Sequence, residues 1–146
     1  VSRAVALLTS ELATWLAGLG VQLGSEPLHV LPGPFPTGRE PTQPDVIAVV
    51  APAGGAPPVN DGLFEQQAFQ VAVRGPQRRV YDERAFRAAW DMDRAIRFAP
   101  LPGYIGSTWC PSVMRSSAAP TVVMPLPDAA ERITFTATYL FTASAF

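Results

Sequence analysis

Residues 132–143 read RITFTATYLFTA, and the way this stretch alternates decides the fold. Successive side chains of an extended chain point to opposite faces. Ile133, Phe135, Ala137, Tyr139 and Phe141 therefore share one face, and Thr134, Thr136, Thr138 and Thr142 share the other. β-Branched and aromatic residues of this kind suit a pleated, half-buried surface. A strand with its aromatic face against a core is predicted.

Working outward, residues 66–74, QQAFQVAVR, repeat the pattern, with Phe69, Val71 and Val73 on one face and Ala68, Gln70, Ala72 and Arg74 on the other. Gly75 and Pro76 are expected to break this second strand. Residues 45–51, DVIAVVA, are apolar on both faces, as in a central strand covered on both sides. Between these two strands lies APAGGAPPVNDG, residues 51–62, whose Gly and Pro content predicts an exposed loop. Residues 28–31, 104–110 and 113–116 read as shorter extended pieces, the second ending at Pro111.

Two segments have helical spacing instead. From Ala4 to Leu19, the residues Val5, Leu8, Leu12, Trp15, Leu16 and Leu19 form one stripe, with Ser2 as N-cap and Gly18 and Gly20 as stop. Residues 83–97, capped by Asp82, are expected to bury Ala85, Phe86, Ala89, Met92 and Ile96. Their alanines permit close approach to a sheet. Glu83 with Arg87, Arg87 with Asp91 and Asp93 with Arg97 are i,i+4 pairs, each worth about 0.2–0.5 kcal/mol. The order helix, strands, helix, strands predicts an α+β fold. Its sheet is mixed, mainly antiparallel, of about four to five strands, and covered by two helices. At 146 residues the chain suits one domain spanning 1–146.

Composition narrows the function. Charged residues make up only 16%, against about 25% in typical domains, which leaves a surface of Thr, Ser, Gln and small apolar groups suited to packing between subunits. All 11 basic residues are Arg, so chemistry that needs Lys, such as a Schiff base or a GxxxxGK[ST] phosphate loop, is excluded. With a net charge of −1, no overall field draws the chain to nucleic acid or an anionic membrane. The charge is nevertheless segregated: residues 74–97 hold seven Arg against four acids, +3, and the remainder carries −4. No apolar run reaches membrane-spanning length and no secretion signal is recognisable, so a soluble, non-exported protein is expected. The lone Cys110 agrees with a reducing cytoplasm.

Catalytic patterns are missing from the sequence. His29 and Cys110 are too few for a Cys/His metal site. Cys110, beside Pro111 in an apolar segment, reads as a buried inert thiol, and His29 as a surface or strand-end residue. Asp91 and Asp93 lie about 200° apart on a helix and cannot share one ion. Arg78 and Arg79 near Tyr81 read as a solvated turn before a helix, in preference to a nucleic-acid contact. No catalytic, cofactor-binding or metal-binding residue is expected.

Several segments resemble the tail terminator, or minor capsid, proteins of long-tailed bacteriophages. Pro44-Asp45-Val46-Ile47-Ala48-Val49 is similar to a first strand of that family. Gly62-Leu63-Phe64-Glu65 with Phe69-Gln70-Val71-Ala72-Val73-Arg74-Gly75 is similar to a second. Asp128, Arg132 and Phe135 resemble its closing turn and strand. The resemblance implies a virion protein assembled in the host cytoplasm. It would form a homo-oligomer, a hexameric ring, that caps the tail tube and meets the head-completion or adaptor protein, without cofactor, membrane or sequence-specific nucleic acid. Such a ring needs two different patches on each subunit. Candidates are the loop residues Pro52, Gly54, Gly55, Pro57, Asn60 and Asp61, together with Arg74, Arg78 and Arg79. Leu7, on the outward side of the first helix, and Trp90 and Phe98, beside the second, are apolar candidates. The alternatives are a stopper or adaptor between head and tail, or a monomeric ligand-binding or enzyme-accessory domain with a concave polar pocket.

Overall fold

A computed structural model describes residues 7–35, 46–56, 64–76, 83–122 and 132–144. In chain order these form α1 (Thr9–Gly18), β1 (Gln22–Leu23), β2 (Glu26–Pro27), β3 (His29–Pro32), β4 (Ile47–Ala56) and β5 (Phe64–Pro76). There follow α2 (Arg84–Arg97), β6 (Gly103–Ile105), β7 (Thr108–Cys110), β8 (Ser112–Arg115), β9 (Thr121–Val122) and β10 (Arg132–Ser144).

The alternating run 132–143 is an interior strand of the main sheet, β10. β10 pairs antiparallel with β5 from Arg132 opposite Pro76 to Ser144 opposite Phe64. β5 pairs antiparallel with β4, and β3 runs parallel on the far side of β4. The six-stranded sheet has the order β3-β4-β5-β10-β8, with β9 beside the early part of β10. Both helices lie on one face, α1 over β3 and β4 and α2 over β5 and β10. Between the layers, Leu12 and Leu16 of α1 and Met92 and Ile96 of α2 meet Val50, Val71, Val73, Tyr139 and Phe141 of the sheet. This is an α+β fold with two helices on a mixed, mostly antiparallel sheet. The expected central strand is indeed buried on both faces, from Val46 to Val50.

Four features differ from the sequence reading. The first helix begins at Thr9, because Leu8 is extended (φ −80°, ψ 135°) and the N–H of Leu7 donates to Gln67 Oε1 at 2.8 Å, which ties this entry segment to β5. Leu7 is thus buried in the core and not on the outward side of a helix; Ser2 lies outside the described residues. Secondly, 51–56 is not loop: β4 continues to Ala56 across an irregularity between Pro52 and Gly55, where Gly54 takes φ +86°. A bulge lets a strand absorb Gly and Pro that would otherwise end it. The rest of the expected loop, 57–62, lies outside the described residues.

Thirdly, 104–110 is not one strand but the hairpin β6–β7, turning at Gly106 (φ +59°) and Ser107. The Glu11 carboxylate accepts hydrogen bonds from the backbone and hydroxyl of Ser107, each 3.2 Å, fastening α1 to that turn. Finally, Gly75 and Pro76 belong to β5 instead of breaking it. A Cβ on Gly75 would lie 2.8 Å from Ala85 Cβ and 3.1 Å from Val46 Cγ2, so the glycine lets α2 approach the sheet.

Candidate functional site

Three groups of side chains bear on function: a buried polar cluster, an isolated thiol, and the outer surface of α2. Helical geometry turns Asp93 inward and Asp91 outward, as their spacing requires. Asp93 is fully enclosed, yet each carboxylate oxygen is satisfied. Oδ1 accepts from the Tyr139 hydroxyl at 2.7 Å, and Oδ2 accepts from Arg97 Nε and Arg115 Nη1, both at 2.9 Å. The Tyr139 hydroxyl is pushed far upward in pKa, chiefly by burial and then by its bond to the Asp93 carboxylate. This cluster joins α2, β8 and β10. With its carboxylate sealed from solvent and already holding three donors, Asp93 is out of a substrate's reach. The sequence reading found the pair with Arg97 but gave it only the weight of an ordinary i,i+4 pair; the enclosure of Asp93 and its bonds to Tyr139 and Arg115 come from the fold.

Cys110 is also enclosed, its thiol donating to the Ser112 carbonyl at 3.4 Å. Burial, partly offset by that bond, pushes the thiol up to about 11. At neutral pH it is protonated and weakly nucleophilic. His29, exposed on edge strand β3, stands on a different part of the fold. Among the described residues no group of three or more His, Cys, Asp or Glu is placed to hold a metal.

The outer surface of α2 is different. Arg84, Arg87, Asp91, Arg94 and Phe98 follow one another at spacings of three and four, which stacks them along one stripe. Phe98 is 75% exposed. Beside its end of the stripe runs a groove of about 520 Å³, walled by Leu19, Val21 and Gln22 on one side and by Asp91, Arg94 and Ala95 on the other. Sharing Gln22 and Asp91, a second hollow of about 450 Å³ continues toward Arg84 and Arg87, with Leu23 and Glu26 opposite. Arg87 pairs with Glu83 at 3.3 Å, between exposed side chains, and not with Asp91. The Arg94 guanidinium has no ion-pair partner among the described residues.

The other candidate residues are scattered. Pro52 and Gly54 are exposed at the irregularity of β4, and Gly55 follows in the same strand. Pro57, Asn60, Asp61, Arg78 and Arg79 lie outside the described residues. Arg74 is half-buried with its guanidinium 4.4 Å from the centre of the Phe35 ring. Trp90 is half-buried, its indole N–H enclosed without an acceptor among the described residues. Its neighbour Phe86, expected in the core, is 41% exposed, because it sits at the margin of α2 and stacks edge-on against Trp90 and Phe135. Exposed Tyr104 and Met114 were not singled out in the sequence. Met114 sits one place from the inward-facing Arg115, and such short strands give little alternation to read. No protein-family model matches the chain, and no curated protein matches it.

Proposed function

We propose that the chain is a structural subunit of a bacteriophage tail, a tail terminator whose ring caps the tail tube and offers a surface to the head-completion proteins. The observation that carries this reading is the placement of the family-like segments. Val46–Val49 falls at the start of β4, Phe69–Gly75 in β5, and Arg132 and Phe135 in β10, three strands lying side by side in the sheet. Segments far apart in sequence thus lie side by side in one sheet, which supports reading them together. Low charge and exposed apolar side chains such as Phe98 and Met114 suit a protein that works by packing against other subunits.

The test is to examine the purified protein, alone and mixed with isolated tail tubes, by sedimentation and negative-stain microscopy. A closed ring seated on the tube end, with tubes that stop growing, is the expected result. A chain that stays monomeric at every concentration and leaves tube growth unaltered would refute the reading.

A further inference from the structure

We propose that the hairpin β6–β7 is a strap that opens as a unit, independently of global unfolding, and that the Glu11 carboxylate is the latch that sets how often it does so. The proposal stands on the fold alone and holds whether or not the chain caps tails. The hairpin forms a two-stranded sheet of its own, and among the described residues no ladder joins it to the main sheet. Pro102 precedes it and Pro111 follows it, and proline cannot donate to a ladder, so pairing stops at both ends. Within the hairpin, Tyr104 and Trp109 stack edge-on across the two strands, their ring centres 5.1 Å apart, which braces it as one body. A two-stranded hairpin is marginally stable by itself, so its closed state depends on what it docks against.

Two kinds of contact hold it closed. Along its length, Ile105 and Cys110 are buried in the core and β7 lies against β10. At its turn, the Ser107 N–H donates to Glu11 Oε2 and the Ser107 hydroxyl to Glu11 Oε1, each at 3.2 Å. Gly106 makes that approach possible, because a Cβ there would fall on the Glu11 carboxyl. Beside the latch, α1 and the turn part around a hollow of about 330 Å³ lined by Ser10, Thr14 and Trp15. Packing is open there, so the carboxylate fixes the turn where apolar contact does not. Elements with few buried contacts open locally, ahead of the global transition. Opening the strap brings Cys110, the chain's one cysteine, out of its enclosure and breaks its bond to the Ser112 carbonyl.

The test is the rate at which Cys110 of the full chain reacts with dithiobis(nitrobenzoate), measured in urea from zero to just below the unfolding transition. The chains compared are wild type, Glu11→Ala, Glu11→Gln, Ser107→Ala and Val50→Ala. Val50 is buried in β4, on the far side of β5 from β10, so its truncation lowers global stability and leaves the strap intact. A rate governed by local opening changes little with urea, since little surface is exposed, whereas one governed by global unfolding climbs steeply. Wild type should show a flat rate at low urea that Glu11→Ala raises about tenfold, as expected for losing a hydrogen bond to a charged acceptor. Glu11→Gln, which keeps an acceptor without charge, and Ser107→Ala, which keeps the N–H, should fall between the two. Val50→Ala should match wild type at low urea while its steep branch begins earlier. Amide exchange in Glu11→Ala should quicken more over residues 103–110 than over β5 and β10. A steep rate in every chain, with Val50→Ala as fast as Glu11→Ala, would mean that Cys110 is reached only by global unfolding, and overturns the strap. A flat rate that Glu11→Ala leaves unaltered overturns the latch.

Discussion

A carboxylate closed off from water is tolerated only when it is hydrogen-bonded and paired with positive charge, and Asp93 meets that condition through Tyr139, Arg97 and Arg115. Removing one member of such a cluster costs more than the cluster itself contributes, because the remaining partners are left buried and unmatched. Asp93→Ala should therefore lower unfolding stability by about 3–5 kcal/mol in urea titrations. Tyr139→Phe, which removes one donor to a charged acceptor, should cost about 1.5–3 kcal/mol. A cost for Asp93→Ala no larger than that of a surface i,i+4 pair would show the cluster to be loosely held. Cys110 makes a prediction about pH. Its thiol is raised from 9.0 to about 11 in the native state, so folding favours the protonated form. The resulting stabilisation is complete below pH 9.0 and declines as pH rises toward about 11. A shift of that size corresponds to about 2–3 kcal/mol. Tyr139 contributes with the same sign above its ordinary value of 10.0, so the thiol's share is the difference between wild type and Cys110→Ala. The variant should lose less stability than wild type between those pH values; equal slopes would mean the thiol is accessible to water.

At the scale of elements, residues with a strict period were legible in the sequence. The alternation of Ile133 to Phe141 and of Phe69 to Val73 located β10 and β5, and the both-sided apolar run at 46–50 located the buried strand β4. What escaped were positions where Gly or Pro serves packing and not termination. Local composition cannot distinguish a bulge at Gly54 from a loop, nor Gly75 as a contact point from Gly75 as a strand end, since the deciding neighbour is distant in sequence. The tight turn at Gly106 was missed for a related reason: β6 and β7 are three residues each, too short to alternate visibly. Gly75 supplies the test. An added methyl group would press on Ala85 and Val46 where α2 begins, with backbone of α2 directly behind. Gly75→Ala should destabilise by about 1–3 kcal/mol, the usual penalty for overpacking a closed core. If Gly75→Ala is neutral or stabilising in chemical denaturation, the approach of α2 to β5 is looser than described.

Across the whole molecule, the hollow beside α2 was only partly legible, because its walls come from residues 19–26 and 84–98 and meet only after folding. Phe98 could be singled out from its place beside a helix, while Leu7, with equally little local context, turned out to be core. The β4–β5 connection likewise has to be probed without disturbing the strands it joins. Replacing residues 53–60 wholesale would delete the end of β4, where Gly55 and Ala56 pair with Gln67 and Gln66, and any loss of assembly would then be confounded with damage to the sheet. Replacement must be confined to 57–62, leaving the bulge and the paired residues intact. If this connection contacts the tail tube or a neighbouring subunit, a short Gly-Ser linker there should preserve the circular dichroism spectrum and thermal midpoint while tube capping declines. A folded linker variant that caps tubes at normal length would remove the connection from the interface.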